Sequence, residues 1–343
     1  MNRVVVAGIN VRNVAESARK AGWTVFAVTK YCDADLYLYA DRIVRVEDKQ
    51  EAEEAVKEVS ERYNAPVVLS TGFEDLKVEN TIGRVDERTL DKRKFYRILE
   101  RAGIPHPEFA ESCGEGPFLV KPRRGGGGVD VFLSDTPVTS NDCVCQQYIQ
   151  GTSCSVSLLC GRRTTVVAVN HLLSGWNEMN ASDFKYSGNI TPYPCEAELR
   201  NEICRIAVET VELFDLSGSV GVDFIIADKP YVLEVNPRFQ GSLDSIEWSL
   251  DVNLFSMHVA SVEGRAVEVP KPRRFAARTI MYADREMRLK IPATCPFFAD
   301  IPPRGVKVEK GEPLLSILAS GGSFENVVEK VLERKNLVYA MQL

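Results

Sequence analysis

GSVGVDFIIADKPYVLEVNPRFQGS, residues 218–242, is the stretch on which the fold turns. Apolar runs at 220–226 and 231–235 flank Ala227-Asp228-Lys229-Pro230, the pattern of an antiparallel hairpin closed by an Asp/Pro turn. If the turn centres between Asp228 and Lys229, Asp223 faces Glu234 directly. Strand side chains alternate faces, so Glu234, Asn236 and Arg238 share one side of a ribbon otherwise built of Val, Ile, Phe and Leu. Facing carboxylates repel, and burying them unpaired is costly. A divalent cation removes the repulsion, and an all-oxygen set without His or Cys suits Mg²⁺. Arg238 beside it suits a phosphoryl group. Taken alone, the stretch also fits a surface hairpin whose wet face pairs Arg238 with Glu234.

The chain of 343 residues is 45% hydrophobic and 26% charged, ordinary for a globular protein of two or three domains. A net charge of -6 without a basic stretch argues against nucleic acid as a partner. No apolar run is long enough to span a membrane, and MNRVVVAGIN enters a strand without a signal layout, so a cytoplasmic protein is expected. The nine cysteines show no C-x-x-C spacing and read as reduced, core-packing thiols, Cys143 and Cys145 included.

Residues 3–8 form an apolar strand, Gly8-Ile9-Asn10 turns into a helix, and 24–28 form a second strand. This order predicts a parallel doubly wound unit, continued by a helix over 50–63 and a strand over 67–70. Ligands at its switch point fall near Asn10, Arg12 and Gly72-Phe73-Glu74, each equally open to capping or surface roles. Residues 86–102 read as a helix, stopped by Gly103, whose Lys92 and Lys94 alone suggest a solvated face.

Next, a strand ends in Lys121, and Pro122-Arg123-Arg124 leads into four consecutive glycines, Gly125, Gly126, Gly127 and Gly128, before a strand over 129–133. Glycines let backbone N–H groups approach phosphates. The lysine precedes them and no Ser/Thr follows, so this is no P-loop but a hairpin flap closing over a polyphosphate. Strands at 144–149, 155–159 and 165–169 follow, then a long aperiodic loop over 171–194. A core helix over 196–214, a helix over 243–262, and tail strands at 278–282, 305–308 and 314–318 with a helix over 324–334 complete the reading.

Lys92, Lys121 with its glycine flap, Gln146-Gln147-Tyr148-Ile149-x-Gly151, Asp223, and Glu234-x-Asn236-Pro237-Arg238 occur in that order. The set resembles the ATP-grasp superfamily, which includes D-alanine–D-alanine ligase, biotin carboxylase and carbamoyl phosphate synthetase. The chain looks most like the predicted ATP-dependent carboligases of archaea and methylotrophic bacteria, which accompany coenzyme biosynthesis. More distantly it is similar to tyramine–glutamate ligase and the ligase of pyrrolysine synthesis. The resemblance implies an α/β plus α+β chain: a Rossmann-like pre-ATP-grasp domain over 1–85, a lid lobe with the flap over 86–155, a C-terminal ATP-grasp lobe over 156–270, and a small β-rich extension over 271–343.

It also implies roles. Lys92 and Lys121 would neutralise ATP phosphates under Gly125 to Gly128. Gln146, Gln147, Tyr148 and Ile149 would line the adenine pocket, with Ser153 at the ribose. Asp223, Glu234 and Asn236 would hold Mg²⁺, with Mn²⁺ as its alternative. Arg238 would stabilise an acyl phosphate and its tetrahedral adduct. Many members have Glu where this chain has Gln146, and Glu where it has Ser153, which leaves the choice between ATP and GTP open. Asn10, Arg12, Glu74, Tyr186, Asn189 and Arg278 are candidate substrate contacts. The expected activity joins a small carboxylate to an amine with release of ADP and phosphate, in a chain that is a homodimer in many relatives. A bicarbonate-activating enzyme and a nucleotide sensor without turnover are the alternatives.

Overall fold

The computed structural model describes residues 2–110, 117–136, 138 and 140–342. Strands β1 (Arg3–Gly8), β2 (Thr24–Thr29), β3 (Arg42–Arg45) and β4 (Val67–Leu69) form a parallel sheet in the order β3-β2-β1-β4, with α1 (Arg12–Lys20) and α2 (Lys49–Tyr63) packed on it. The apolar runs Val4-Val5-Val6 and Val25 to Val28 are buried, as both faces of a parallel sheet require.

Asp91 caps α3 (Lys92–Ala102), accepting from the N–H groups of Arg93 and Lys94, so the long helix expected from residue 86 starts six residues later, after a single-turn segment at Glu87–Leu90. The small lobe's antiparallel sheet has the order β5-β8-β6-β7, from β5 (Phe109–Ala110), β6 (Phe118–Pro122), β7 (Phe132–Ser134) and β8 (Cys143–Gln147). The strand after the glycines thus begins at Phe132 rather than Val129, since the backbone through Gly127, Gly128 and Asp130 is left-handed.

An eight-stranded antiparallel sheet carries the rest. Its members are β9 (Thr152–Cys160), β10 (Thr165–Ser174), β11 (Tyr186–Thr191), β12 (Gly218–Ile226), β13 (Pro230–Asn236), β14 (Phe275–Tyr282), β15 (Phe298–Ala299) and β16 (Pro313–Gly321), in the order β13-β12-β9-β10-β11-β14-β16-β15. Helix α4 (Ala197–Val211) covers one face, while α5 (Leu243–Leu250), α6 (Leu254–Val262) and α7 (Phe324–Ala340) pack elsewhere on the sheet. The single helix expected over 243–262 breaks at Asp251, whose backbone is left-handed, and Asn253 caps the second half. Residues 305–308 form no strand, and their ladder pairing is limited to the bridge Met287–Val308.

The aperiodic stretch 171–194 is the main correction. Part of it forms β11, a central strand, and the end of β10. Its Asn189 and Thr191, with Asn170, are fully buried, and their side chains bond one another and Ser155, Ser157 and Ser245. A strand whose buried face is polar has no apolar alternation to read. The cysteine reading also needs correcting at one place. Seven cysteines are free and Cys113 lies outside the described residues, but Cys145 is disulfide-bonded. A bond closed by the fold leaves no mark in sequence spacing.

Candidate active site

Asp223 of β12 pairs with Glu234 of β13, as the sequence predicts, but the turn is not where expected. It closes Ile226 against Pro230, and the register shifts between Asp223 and Phe224, leaving Leu233 without a partner on β12. That bulge restores the register, so Asp223 meets Glu234 and Gly221 meets Asn236. Burial and the neighbouring Glu234 push the Asp223 carboxyl well above the usual range. Burial would also raise Glu234, but Lys92 and Lys121 outweigh it and hold this carboxylate below its ordinary value. The two facing carboxyls are therefore pushed in opposite directions, Asp223 up and Glu234 down.

Asn236 turns its NH₂ to this pair, with Nδ2 3.0 Å from Asp223 Oδ2 and 3.3 Å from Glu234 Oε1. Its Oδ1 accepts from Arg238 Nη2 at 3.0 Å. The Asn236 amide thus supplies a donor to both facing carboxylates in place of a cation. This oxygen donor set fits a hard divalent ion. Among the described residues no group of three or more His, Cys, Asp or Glu side chains has metal-binding geometry, so a two-carboxylate site completed by an amide or a phosphate is the form these residues allow.

Lys121, at the end of β6, lies beside the pair, and burial, only partly offset by Glu234, lowers its ammonium to about 8. Lys92 is buried rather than solvated, and its Nζ donates to Gly125 O at 2.6 Å, fastening the flap's first glycine. Arg123 Nη2 bonds Asp91 Oδ2 at 2.6 Å, tying the flap's root to the cap of α3. The flap lies down over the site. A Cβ on Gly126 would come 3.9 Å from Glu234 Oε1, and one on Gly128 would meet Phe184 O at 2.0 Å. Tyr186 N donates to Gly127 O at 3.3 Å.

Gln146 is buried, and its Nε2 donates to Tyr96 Oη at 2.5 Å. Gln147 and Tyr148 are exposed, Ile149 is half-buried, and Ser153 lies half-buried on β9 opposite Ile225. Arg238 donates from Nε to Glu74 Oε1 at 2.5 Å and from Nη1 to Phe239 O at 3.1 Å. Beside this pair lies a cavity of about 200 Å³, walled by Glu74, Leu76, Arg84, Arg238, Phe239 and His258.

Of the remaining substrate candidates, Arg12, Arg278 and Asn10 sit in a second network, away from the carboxylate pair. Arg12 is fully buried, grips Asp244 with two bonds of 2.8 Å, and meets Asp300 at 3.1 Å. Arg278 bonds Asp300 at 2.6 Å, Asn10 bonds Asp33 at 2.6 Å, and Tyr186 Oη donates to Asn189 Oδ1 at 3.2 Å. Asp35 accepts the N–H groups of Asp300 and Ile301, so this network stitches the first sheet to the tail. Sequence reading missed Asp33, Asp35, Asp244 and Asp300, which follow no motif. It also missed Tyr96 and Asp91, although an Asp just before a helical pattern is a readable cap.

An ATP-grasp domain model matches residues 89–242. A tyramine–L-glutamate ligase of Methanocaldococcus fervens is 32% identical over 210 residues, spanning 57% of this chain and 67% of that protein. The chain belongs to the ATP-grasp family. A Methanocaldococcus jannaschii protein, MJ0776, is similar over nearly the full length of this ATP-grasp chain: 26% identical, covering 96% of this chain and 91% of that one. In fold it resembles the crystal structure of an L-amino acid ligase from Bacillus licheniformis, with a TM-score of 0.73 at 16% identity, over 98% of this chain and 97% of the other. The expected family, fold class and enzyme class, an ATP-grasp ligase, are borne out. Among the described residues no helix of this ATP-grasp chain is long and apolar enough to cross a membrane.

Proposed function

We propose that this protein is an ATP- and Mg²⁺-dependent carboxylate–amine ligase acting on small molecules through an acyl phosphate. The observation that carries the reading is the convergence of Asp223, Glu234, Asn236 and Arg238 with Lys92 and Lys121 beneath a docked glycine flap. Opposed carboxylates, two ammonium groups and a guanidinium make a cleft suited to a polyphosphate. Cytoplasmic coenzyme assembly is the setting suggested by the resemblance. The four units at 1–85, 86–155, 156–270 and 271–343 form part of the same proposal.

A carboxylate is a poor electrophile because its leaving oxide is too basic. In the first step a carboxylate oxygen attacks the γ-phosphorus of ATP, and the bond to ADP breaks. In the second the amine attacks the acyl carbon, inorganic phosphate leaves with the bonding electrons, and the ammonium proton passes to solvent or phosphate. The chain's work is positioning and charge stabilisation. Lys92 and Lys121 neutralise phosphate oxygens, and the flap excludes water. Asp223 and Glu234 would hold the ion, joined by Asn236 once its amide turns. Bound there, Mg²⁺ supplies charge neutralisation at the transferring phosphoryl group. Arg238, steadied by Glu74, stabilises the oxyanion of the adduct. The cavity beside Arg238, with its apolar walls at Leu76 and Phe239, suits the body of the acid.

The test is a screen of acid and amine pairs for ADP release, with mass detection of the product. A ligated product from a carboxylate and an amine supports the reading. ADP release that needs only bicarbonate sinks it in favour of carboxyphosphate chemistry. Nucleotide binding without ADP release from any pair sinks it in favour of a sensor.

A further inference from the structure

The flap docks on the segment 182–187, at the entry to β11. Phe184 O is the atom that leaves no room for a Cβ on Gly128, and Tyr186 N–H donates to Gly127 O. Ser182 and Asp183, at the start of this segment, are exposed, so what fixes the dock lies on its other side, in the C-terminal tail. Lys185 Nζ donates to Gly311 O at 3.0 Å and stands 5.3 Å over the ring of Tyr282. Tyr282 Oη donates to Tyr186 O at 2.8 Å. Asn180 Nδ2 donates to Tyr282 O at 2.8 Å and meets Tyr339 Oη of α7 at 3.2 Å. Met179, just upstream, is fully buried in the tail's own core with Met281, Leu315 and Val331. The surface that receives the flap is therefore an outpost of the tail. The ammonium of Lys185 is committed to that tail rather than to the phosphates under the flap.

We propose that Lys185 and Tyr282 are positioning residues through which the tail holds the dock and so sets how long the flap stays closed over a bound nucleotide. The second half of this inference rests on the cleft being a nucleotide site. Tyr186 is the pivot: its N–H faces the flap and its C=O faces Tyr282, so one peptide segment carries both contacts. A hydrogen bond to a charged group corresponds to about tenfold or more in an opening equilibrium, and a neutral one to about fivefold. A bound nucleotide leaves only when the flap lifts, so its release quickens by the same factor as the opening.

The test makes two measurements on the intact protein: native-state hydrogen exchange at the Tyr186 amide without nucleotide, and the dissociation rate of ATP with Mg²⁺ and no acid or amine. Lys185→Met keeps the stem and removes the charge. It is expected to lower protection of the Tyr186 amide about tenfold and to speed ATP release by a similar factor, with the melting temperature unchanged. Tyr282→Phe keeps the ring and should do the same about fivefold. Lys185→Arg keeps donor and charge and should restore wild-type values. If Lys185→Met does not fold, Tyr282→Phe decides the matter. A folded variant with wild-type protection overturns the inference. So does one whose protection falls while ATP release stays at the wild-type rate, and in both cases the nucleotide site stands. A wild type that binds no ATP overturns the nucleotide reading itself, and the exchange comparison still decides whether the tail holds the dock.

Discussion

Arg238 Nε and Glu74 Oε1 lie 2.5 Å apart, joining residues 164 positions distant in the chain. Both side chains are mostly buried, at 14% exposure. With Asn236 Oδ1 on Nη2 and Phe239 O on Nη1, each nitrogen of the guanidinium has an assigned partner. The loop after β4 of the first sheet thus helps set the plane of the Arg238 guanidinium.

Removing that group should separate binding from chemistry. Arg238→Ala is expected to bind ATP within a few-fold of wild type while ligation slows about 10²–10³-fold, the usual loss for one oxyanion donor. Single-turnover kinetics and nucleotide titration measure the two parts. Near-wild-type turnover would remove Arg238 from the mechanism.

The carboxylate pair predicts an effect of opposite sign on stability and function. In EDTA at pH 7.5, Asp223→Asn relieves the crowding of Asp223 against Glu234 and should melt a few degrees above wild type. Mg²⁺ with ATP should raise the melting temperature of the wild type and leave that of Asp223→Asn unchanged. Equal shifts in both proteins would place the ion elsewhere.

Flap closure depends on the absence of one carbon atom. Gly128 has φ +73° and no room for a Cβ beside Phe184 O, whereas a Cβ at Gly126 meets only ordinary contact. Gly128→Ala should raise the KM for ATP by roughly tenfold or more through loss of docking, and Gly126→Ala should change it little. Thermal melts should be nearly unaffected, since the flap adds little core. Similar KM values for the two variants would mean that docking is not needed for binding.

His258 makes stability depend on pH. Its Nδ1 accepts the Ser219 N–H at 2.8 Å, its Nε2–H donates to Ile82 O at 3.1 Å, and burial lowers its pKa from 6.5 to about 4. The unfolded chain binds the proton more readily than the fold does, so stability is full above 6.5 and is lost as the pH falls toward about 4. The loss is about 3 kcal/mol. Denaturant melts across this window should show it, and His258→Gln should flatten that part of the profile. A profile in the variant as steep as in the wild type would assign the loss to other groups.

Arg12 is expected to act on folding rather than on turnover. Asp244 and Asp300 share its guanidinium in a fully buried setting. Arg12→Ala leaves those charges buried without it and should cost about 3–5 kcal/mol. A soluble variant with an unchanged melt but a raised substrate KM would make Arg12 a substrate contact after all.

What could be read from the sequence follows from where each signal lies. Asp223 and Glu234 were legible because an apolar hairpin carries them as exceptions, and their pairing survived a misplaced turn thanks to the spare residue Leu233. Val4 to Ala7 were legible as a run buried on both faces. β11 was not, because Asn189 and Thr191 are buried through side-chain hydrogen bonds rather than apolar contact. Lys92 looked like part of a solvated run because its partner, Gly125 O, comes from another element. The ion network of Arg12 and Arg278 joins residues from both ends of the chain, a kind of proximity no local pattern encodes.

The spare residue in β13 also frees the hairpin tip from the end that carries the carboxylates. Since Leu233 takes up the mismatch between turn and ladder, the loop at 227–229 can change length without rotating Glu234 off its face. That tip is exposed at Ala227, Asp228 and Lys229. It is therefore a natural attachment point for a fluorophore or an affinity handle, able to report on the ribbon without disturbing Asp223 and Glu234 at its far end.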